Sequence, residues 1–261
     1  MWLIVSAIAL AGLLAVVLLL SWYGRRSESW GASAEEVEAQ MTGDEWLEPG
    51  PGARVRMTRA TSVDATAERL WPWIAQIGRG AGWCSYDRLD NGGRASARHI
   101  VGWIPAPRVG DSAAIGYLRH VEPGRELVWW LPGIRFLGAR FRGVTLYRLV
   151  PEGDRCRLVV RIQADAHGLA GRFACWLFRV IDGFMARRQL VEIRRRAESY
   201  GDRATDPGSP ETGARDQYQL YQVIFASGET AGVRGKESAA RWRRVAIEDG
   251  VVTSGLGGSS G

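Results

Sequence analysis

Lysine is almost absent from this 261-residue chain: Lys236 is the only one, so the formal net charge of +6 rests on arginine. Cysteine is scarce too. Cys84, Cys156 and Cys175 are an odd number without Cys-x-x-Cys spacing, which argues against a disulfide framework and gives a zinc site no support. The histidines, His99, His120 and His167, are scattered with no His-x-x-x-His pair, so neither a metal nor another cofactor is expected. A hydrophobic content of 46% with 24% charged residues excludes collagen-like, knottin-like and wholly disordered chains. Charge is missing altogether from Met1 to Gly24.

That uncharged stretch is where the chain first becomes informative. Trp2 to Leu20 is almost wholly apolar and is followed by Trp22, Tyr23, Arg25 and Arg26. At about 1.5 Å rise per residue, roughly 20 residues cross a hydrocarbon layer about 30 Å thick, with Trp and Tyr at headgroup level. Residues 1–24 are therefore expected to be a transmembrane anchor. A cleaved signal peptide is the rival reading, but the stretch lacks a basic leading region and a small-residue cleavage site. With the arginines on the C-terminal side, the soluble part is expected to face the cytoplasm from the cell inner membrane.

Residues 25–52 read as a juxtamembrane linker, and a domain follows over 53–200. Arg54 to Val63 alternates like a strand, and Ala67 to Ile77 places Leu70, Trp73, Ile74 and Ile77 on one helical face. Short strands are expected over 112–115, 118–122 and 126–131, then a hairpin pairing 143–150 with 156–164 across Pro151 to Asp154. Gly171 to Tyr200 is the longest helical pattern of the domain, with Phe173, Leu177, Val180, Ile181, Phe184 and Val191 along one stripe. The order gives an α+β fold with a curved antiparallel sheet covered by one long helix, leaving space in which apolar ligands are held. Residues 201–216 are a linker, 217–254 a short helical extension that offers a protein-partner site, and 255–261 a tail.

Several segments are familiar as sequence. Met41 to Glu45 (MTGDE), the strand near Arg59 to Ala65, Leu70 to Trp73, Gly82 to Asn91 (GWCSYDRLDN), Val109 to Asp111, Val121 to Arg125 and the hairpin reaching Arg157 and Leu158 resemble membrane-anchored bacterial members of the START-like, polyketide cyclase or SRPBCC superfamily. The resemblance runs over roughly residues 41 to 200, and Tyr86 with Asp87 is its most specific part. It implies a helix-grip fold around a deep hydrophobic cavity that binds a hydrophobic small molecule or lipid. Cys84 departs from the aromatic residue of such relatives, which puts a ligand shape inferred from them in doubt.

Candidate ligand-binding residues are Trp73, Trp83, Tyr86, Asp87, Asn91, Trp103, Trp129 and Phe184, with Asp90 on the same loop. Polar groups beside an apolar opening orient a headgroup, although Asp and Asn also serve as caps. A cyclase or dehydratase using Tyr86, Asp87, His99 or His120 is the enzymatic alternative, and fold resemblance alone does not carry that chemistry. Arg187, Arg188, Arg194, Arg195 and Arg196 suit an anionic membrane surface together with Arg25 and Arg26, or else a solvated helix end. No Gly-rich aromatic segment accompanies them, so nucleic acid is not expected.

Overall fold

The computed structural model describes residues 1–47, 52–113 and 116–199. The linker, helical extension and tail expected over 201–261 lie outside the described residues. The helices are α1 (Trp2–Arg26), α2 (Ala34–Glu38), α3 (Ala67–Ala75), α4 (Asp87–Asp90) and α5 (Gly168–Ser199). The strands are β1 (Ala53–Val63), β2 (Ser112–Ala113), β3 (Gly116–Glu122), β4 (Glu126–Phe136), β5 (Ala139–Glu152) and β6 (Arg155–Ala166). They form one antiparallel sheet in the order β1-β6-β5-β4-β3-β2, with α5 packed on its inner face. The fold is the expected α+β helix-grip arrangement.

The hairpin is longer than its alternation suggested. β5 and β6 pair without a break from Phe141 opposite Ala166 to Glu152 opposite Arg155. β4 and β5 continue to Phe136 opposite Ala139, after a register shift between Leu131 and Ile134. Bulged registers bend a sheet, and a bent sheet can wrap a helix.

The face that α5 turns to the sheet is not the stripe of large side chains. Gly171, Ala174, Cys175, Ala186, Gln189, Leu190, Ile193 and Ala197 are buried, whereas Phe173, Ile181, Phe184 and Val191 are exposed at 54%, 37%, 46% and 46%. Small residues bring the helix axis close to the strands, and a Cβ at Gly171 would lie 2.7 Å from the Ala166 carbonyl carbon. The opposite side of α5 receives α1. Trp176 Nε1 donates to Ser21 Oγ at 2.9 Å, and the Tyr23 and Phe184 rings stack at 4.1 Å. A Cβ on Gly24, the buried residue of α1, would touch Val180 Cγ2 at 3.2 Å. Apolar residues occur all round α5 because two partners use them.

Residues 27–47 form a packed strap over the outer face of the sheet. Met41, Leu47 and Trp46 pack on Ala60, Tyr117, Val128, Trp130, Val144, Leu146 and Val159. Arg161, whose side chain is only 2% exposed, fastens the strap. It donates to the carbonyls of Glu36, Val37 and Ala39 and pairs with Asp44 at 2.7 Å. Asp44 also accepts from Gln163 Nε2, Arg56 and the Met41 N–H. Gly43 adopts φ +91°, and a Cβ there would press within 2.9 Å of Val144, so the MTGDE turn requires glycine at its centre.

Removing Asp44 leaves Arg161 charged and buried. Asp44→Ala is expected to lower unfolding free energy by about 3–5 kcal/mol, measured by urea unfolding of the detergent-solubilised chain. A loss of only about 1 kcal/mol or less, as for an exposed pair, would contradict this role.

Candidate functional site

Two side chains on the inner face of the sheet define the site. Trp129 on β4 is 0% exposed and Tyr147 on β5 is 2% exposed, both within the main core cluster. Period-2 alternation sends the neighbouring Trp130 to the outer face, against Trp46 at a ring distance of 6.3 Å. Among the described residues, the buried Trp129 indole N–H has no hydrogen-bond acceptor. The Tyr147 hydroxyl donates to Gln189 Oε1 on α5 at 3.0 Å, and Gln189 Nε2 donates to the Trp83 carbonyl at 2.7 Å. One side chain thus ties sheet, helix and loop together, while burial pushes the Tyr147 phenol far up.

The loop over 78–97 closes this end of the interior and is fastened largely by its own groups. Gly78 N–H donates to the Gly82 carbonyl, Ala97 N–H to the Ala81 carbonyl, and Cys84 N–H to Ser96 Oγ. Ser96 Oγ donates in turn to Asp87 Oδ1 at 2.5 Å, and Asn91 Nδ2 donates to the Arg94 carbonyl at 2.8 Å. Gly82, at φ +81°, has Ser96 Oγ within 2.4 Å of where a Cβ would stand. From α5, Arg188 donates to the Ser85 carbonyl, and Arg196 donates to Cys84 Sγ at 2.8 Å and the Ala97 carbonyl at 2.7 Å. Ser85 Oγ donates to the Met185 carbonyl.

Two groups here are held away from their ordinary states. Cys84 adopts φ 57°, rare for a residue with a Cβ, and its thiol is pushed up to about 11 by burial against the opposing pull of Arg196. Asp90 hides both carboxylate oxygens without a hydrogen-bond partner in good geometry. Its pKa is raised by burial first and by the Asp87 charge second, with the nearby Ser85 hydroxyl only partly offsetting them. Burial and a neighbouring like charge both disfavour the ionised form of this carboxyl.

The candidate residues are distributed unevenly. Trp83 and Trp129 meet with ring centroids 6.0 Å apart, and Trp73, 1% exposed on α3, belongs to the same core. Tyr86 is 38% exposed outside the loop, under the Arg188 guanidinium at 4.7 Å. Asp87 and Asn91 hold the loop's shape. Trp103 lies on the following loop, half-buried outside this cluster, and Phe184 stacks on Tyr23 on the far side of α5. Tyr147 and Gln189 were not singled out from sequence; a glutamine amid the apolar residues of a helix was the available signal.

The five arginines in the C-terminal half of α5 divide as well. Arg196 turns inward, Arg188 serves the loop, Arg194 pairs with Glu198 at 2.9 Å, and Arg187 lies over the Trp30 ring at 5.3 Å. Arg195 and Arg194 line a cleft of about 390 Å³ beside Trp30 and Val191. Arg25 and Arg26 are exposed at the end of α1. Among the described residues, His120, Glu122 and Glu126 bring donor atoms within 4.8 Å of one another. Glu126 already accepts from Thr42 and Arg148, which offsets its charge, and His120 belongs to that outer network with Glu126 at 3.3 Å.

No family model and no curated protein sequence matches the chain. Solved structures align with it at low identity and low TM-score. A conserved protein from Geobacillus kaustophilus aligns at 8% identity and TM-score 0.37 over 56% of this chain and 97% of its own. The Zhui aromatase/cyclase from Streptomyces sp. R1128 aligns at 12% and 0.30, over 60% and 99%. Truncated norcoclaurine synthase from Thalictrum flavum aligns at 10% and 0.34, over 61% and 100%. Likenesses this distant carry no argument about function.

A raised carboxyl pKa has a measurable sign. The folded state holds the Asp90 proton to higher pH than the unfolded chain, so this group's contribution to stability falls as pH rises from the ordinary carboxylate range through the folded pKa. Asp90→Asn removes that loss. It is expected to raise the unfolding midpoint at pH 7, with the gain shrinking below about pH 4. A lowered midpoint at pH 7 would show that the carboxylate is favourably held.

Proposed function

We propose that this chain is a membrane-anchored helix-grip domain that binds a hydrophobic small molecule or lipid between the inner face of the sheet and α5, beneath the loop over 78–97. The observation carrying this reading is the fully buried Trp129 indole N–H, which lacks an acceptor among the described residues within the main core cluster. An unmade hydrogen bond of this kind costs about 1–3 kcal/mol, and a ligand oxygen placed beside Trp83 would supply the missing acceptor. Burial of apolar ligand area, at about 25 cal/mol per Å², would provide most of the affinity. Asp90, in its protonated form, would donate to the same ligand.

The anchor reading draws support from packing. α1 is long and apolar enough to cross a membrane, and its last two turns are part of the domain through Ser21, Tyr23 and Gly24. A cleaved leader would take those contacts with it. We place the domain on the cytoplasmic side of the inner membrane, in keeping with Arg25 and Arg26. The helical extension over 217–254 is kept as the place for a protein partner.

A second reading, a cyclase or dehydratase, rests on Asp90 as its proton donor. The two readings separate in one experiment on the full chain. Native mass spectrometry with solvent extraction is expected to show a stoichiometric apolar adduct that is released chemically unchanged. An adduct recovered as a converted product whose formation stops in Asp90→Asn would favour the enzyme. Protein that stays empty after incubation with extracted membrane lipid would overturn the binding reading.

A further inference from the structure

Resting on the reading of α1 as a membrane span, we infer that the first two turns of α5 enter the same bilayer interface, and that the cleft beside them binds the headgroup of an anionic phospholipid. The register between the two helices carries the argument. Ser21 meets Trp176, Gly24 meets Val180 and Ser27 meets Gly183, so α1 and α5 run in the same direction. Residues of α5 that precede Trp176 therefore lie toward the apolar body of α1. At 1.5 Å per residue, Phe173 stands about 4–5 Å and Leu169 about 10 Å deeper than Trp176. Arg187 and Arg196 stand about 16 Å and 30 Å the other way. Membrane contact at α5 thus passes from its C-terminal arginines to its first turns.

The side chains there suit that depth. Leu169 is 85% exposed and Phe173 54%, and Phe173 stacks on Trp176 at 5.6 Å. Leu137, 48% exposed, is at the tip of the β4–β5 hairpin, beyond the Phe141–Ala166 pair at the same end of the sheet. Such a patch is costly in water and favourable in the acyl boundary. Beside it opens a cleft of about 580 Å³ that combines Arg54, Arg172 and Arg179 with Val55, Leu169 and Trp176. Arg179 pairs with Glu28 and Arg54 donates to the Leu47 carbonyl, so both are held in place, while the exposed Arg172 lines the same cleft. Planar guanidinium groups next to an apolar wall match a lipid phosphodiester joined to its glycerol and acyl chains.

Depth is read on the full chain with nitroxide labels on cysteines placed singly at Leu10, Leu169, Phe173 and Arg195. The vesicles contain phosphatidylcholine with phosphatidylglycerol, and relaxation by oxygen is compared with that by a water-soluble nickel chelate. The native thiols are buried, so labelling falls on the introduced sites. Positions 10, 169 and 173 are expected in the apolar regime and position 195 in water. Position 10 apolar with 169 and 173 aqueous would overturn the inference and leave the anchor standing. Position 10 aqueous would overturn both. The headgroup site is read from lipids retained after release from nanodiscs of equal phosphatidylcholine and phosphatidylglycerol. Wild type is expected to retain phosphatidylglycerol preferentially, and Arg172→Gln to lose about fivefold of that preference, the factor for one basic residue at a membrane surface. Equal retention of the two lipids by wild type, or an unchanged preference in Arg172→Gln, would overturn it.

Discussion

One buried arginine joins the three parts of this protein. Arg59, 1% exposed on β1, donates through Nη1 to Asp182 on α5 and through Nε to the carbonyl of Ser27, each at 2.6 Å. Ser27 is the residue that ends α1. Sheet, covering helix and apolar N-terminal helix are therefore fixed relative to one another by a single guanidinium, and breaking a buried pair of this kind costs about 3–5 kcal/mol. Around it the packing is close. Ser27 Oγ lies 2.4 Å from where a Cβ would stand on Gly183, so a side chain there would push the chain leaving α1 off the helix. This contact sets the register between α1 and α5 together with Ser21 against Trp176 and Gly24 against Val180.

The strap extends the same logic to the other face of the sheet. After Ser27 the chain crosses the strands, with Thr58 N–H bonded to the Glu28 carbonyl and Ala60 N–H to the Trp30 carbonyl. Arg157 then grips Glu36, and Arg161 grips Asp44. An arginine-rich, lysine-poor composition is thus structural as much as electrostatic, because a planar fork with five donors satisfies several carbonyls and a carboxylate at once. With the outer face covered by the strap and the inner face by α5, the Trp129 indole N–H and the Asp90 carboxylate, among the described residues, stay buried without a hydrogen-bond partner.

Much of the fold was legible because its signals are local. Alternation in Cys156 to Ile162, the turn at Pro151 to Asp154 and the run of 67–77 are set by periods of two and 3.6 residues, which need no knowledge of partners. The long helix was legible in extent but not in facing, since Phe184 looks like a core residue until α1 is known to pack on the other side. Residues 27–47 read as a lead and a linker because their burial comes from Arg161, more than one hundred residues later. The site was visible only in part. The loop block was distinctive, yet the roles of Asp87 and Asn91 in shaping it, and of Tyr147 and Gln189 in bracing it, depend on pairings across the whole domain.

α1 and the domain are one packed body. Gly24→Cys with Val180→Cys tests it in native membranes, because the Cβ at 24 would lie 3.2 Å from a Val180 methyl, close enough for a disulfide after little movement. Mild oxidation is predicted to form this intramolecular bond rapidly, while Gly12→Cys with Val180→Cys, whose first partner has nothing within 4 Å, does not react. Equal and slow oxidation of both pairs would contradict the account: α1 would then be a flexible tether, with α5 held by the sheet alone.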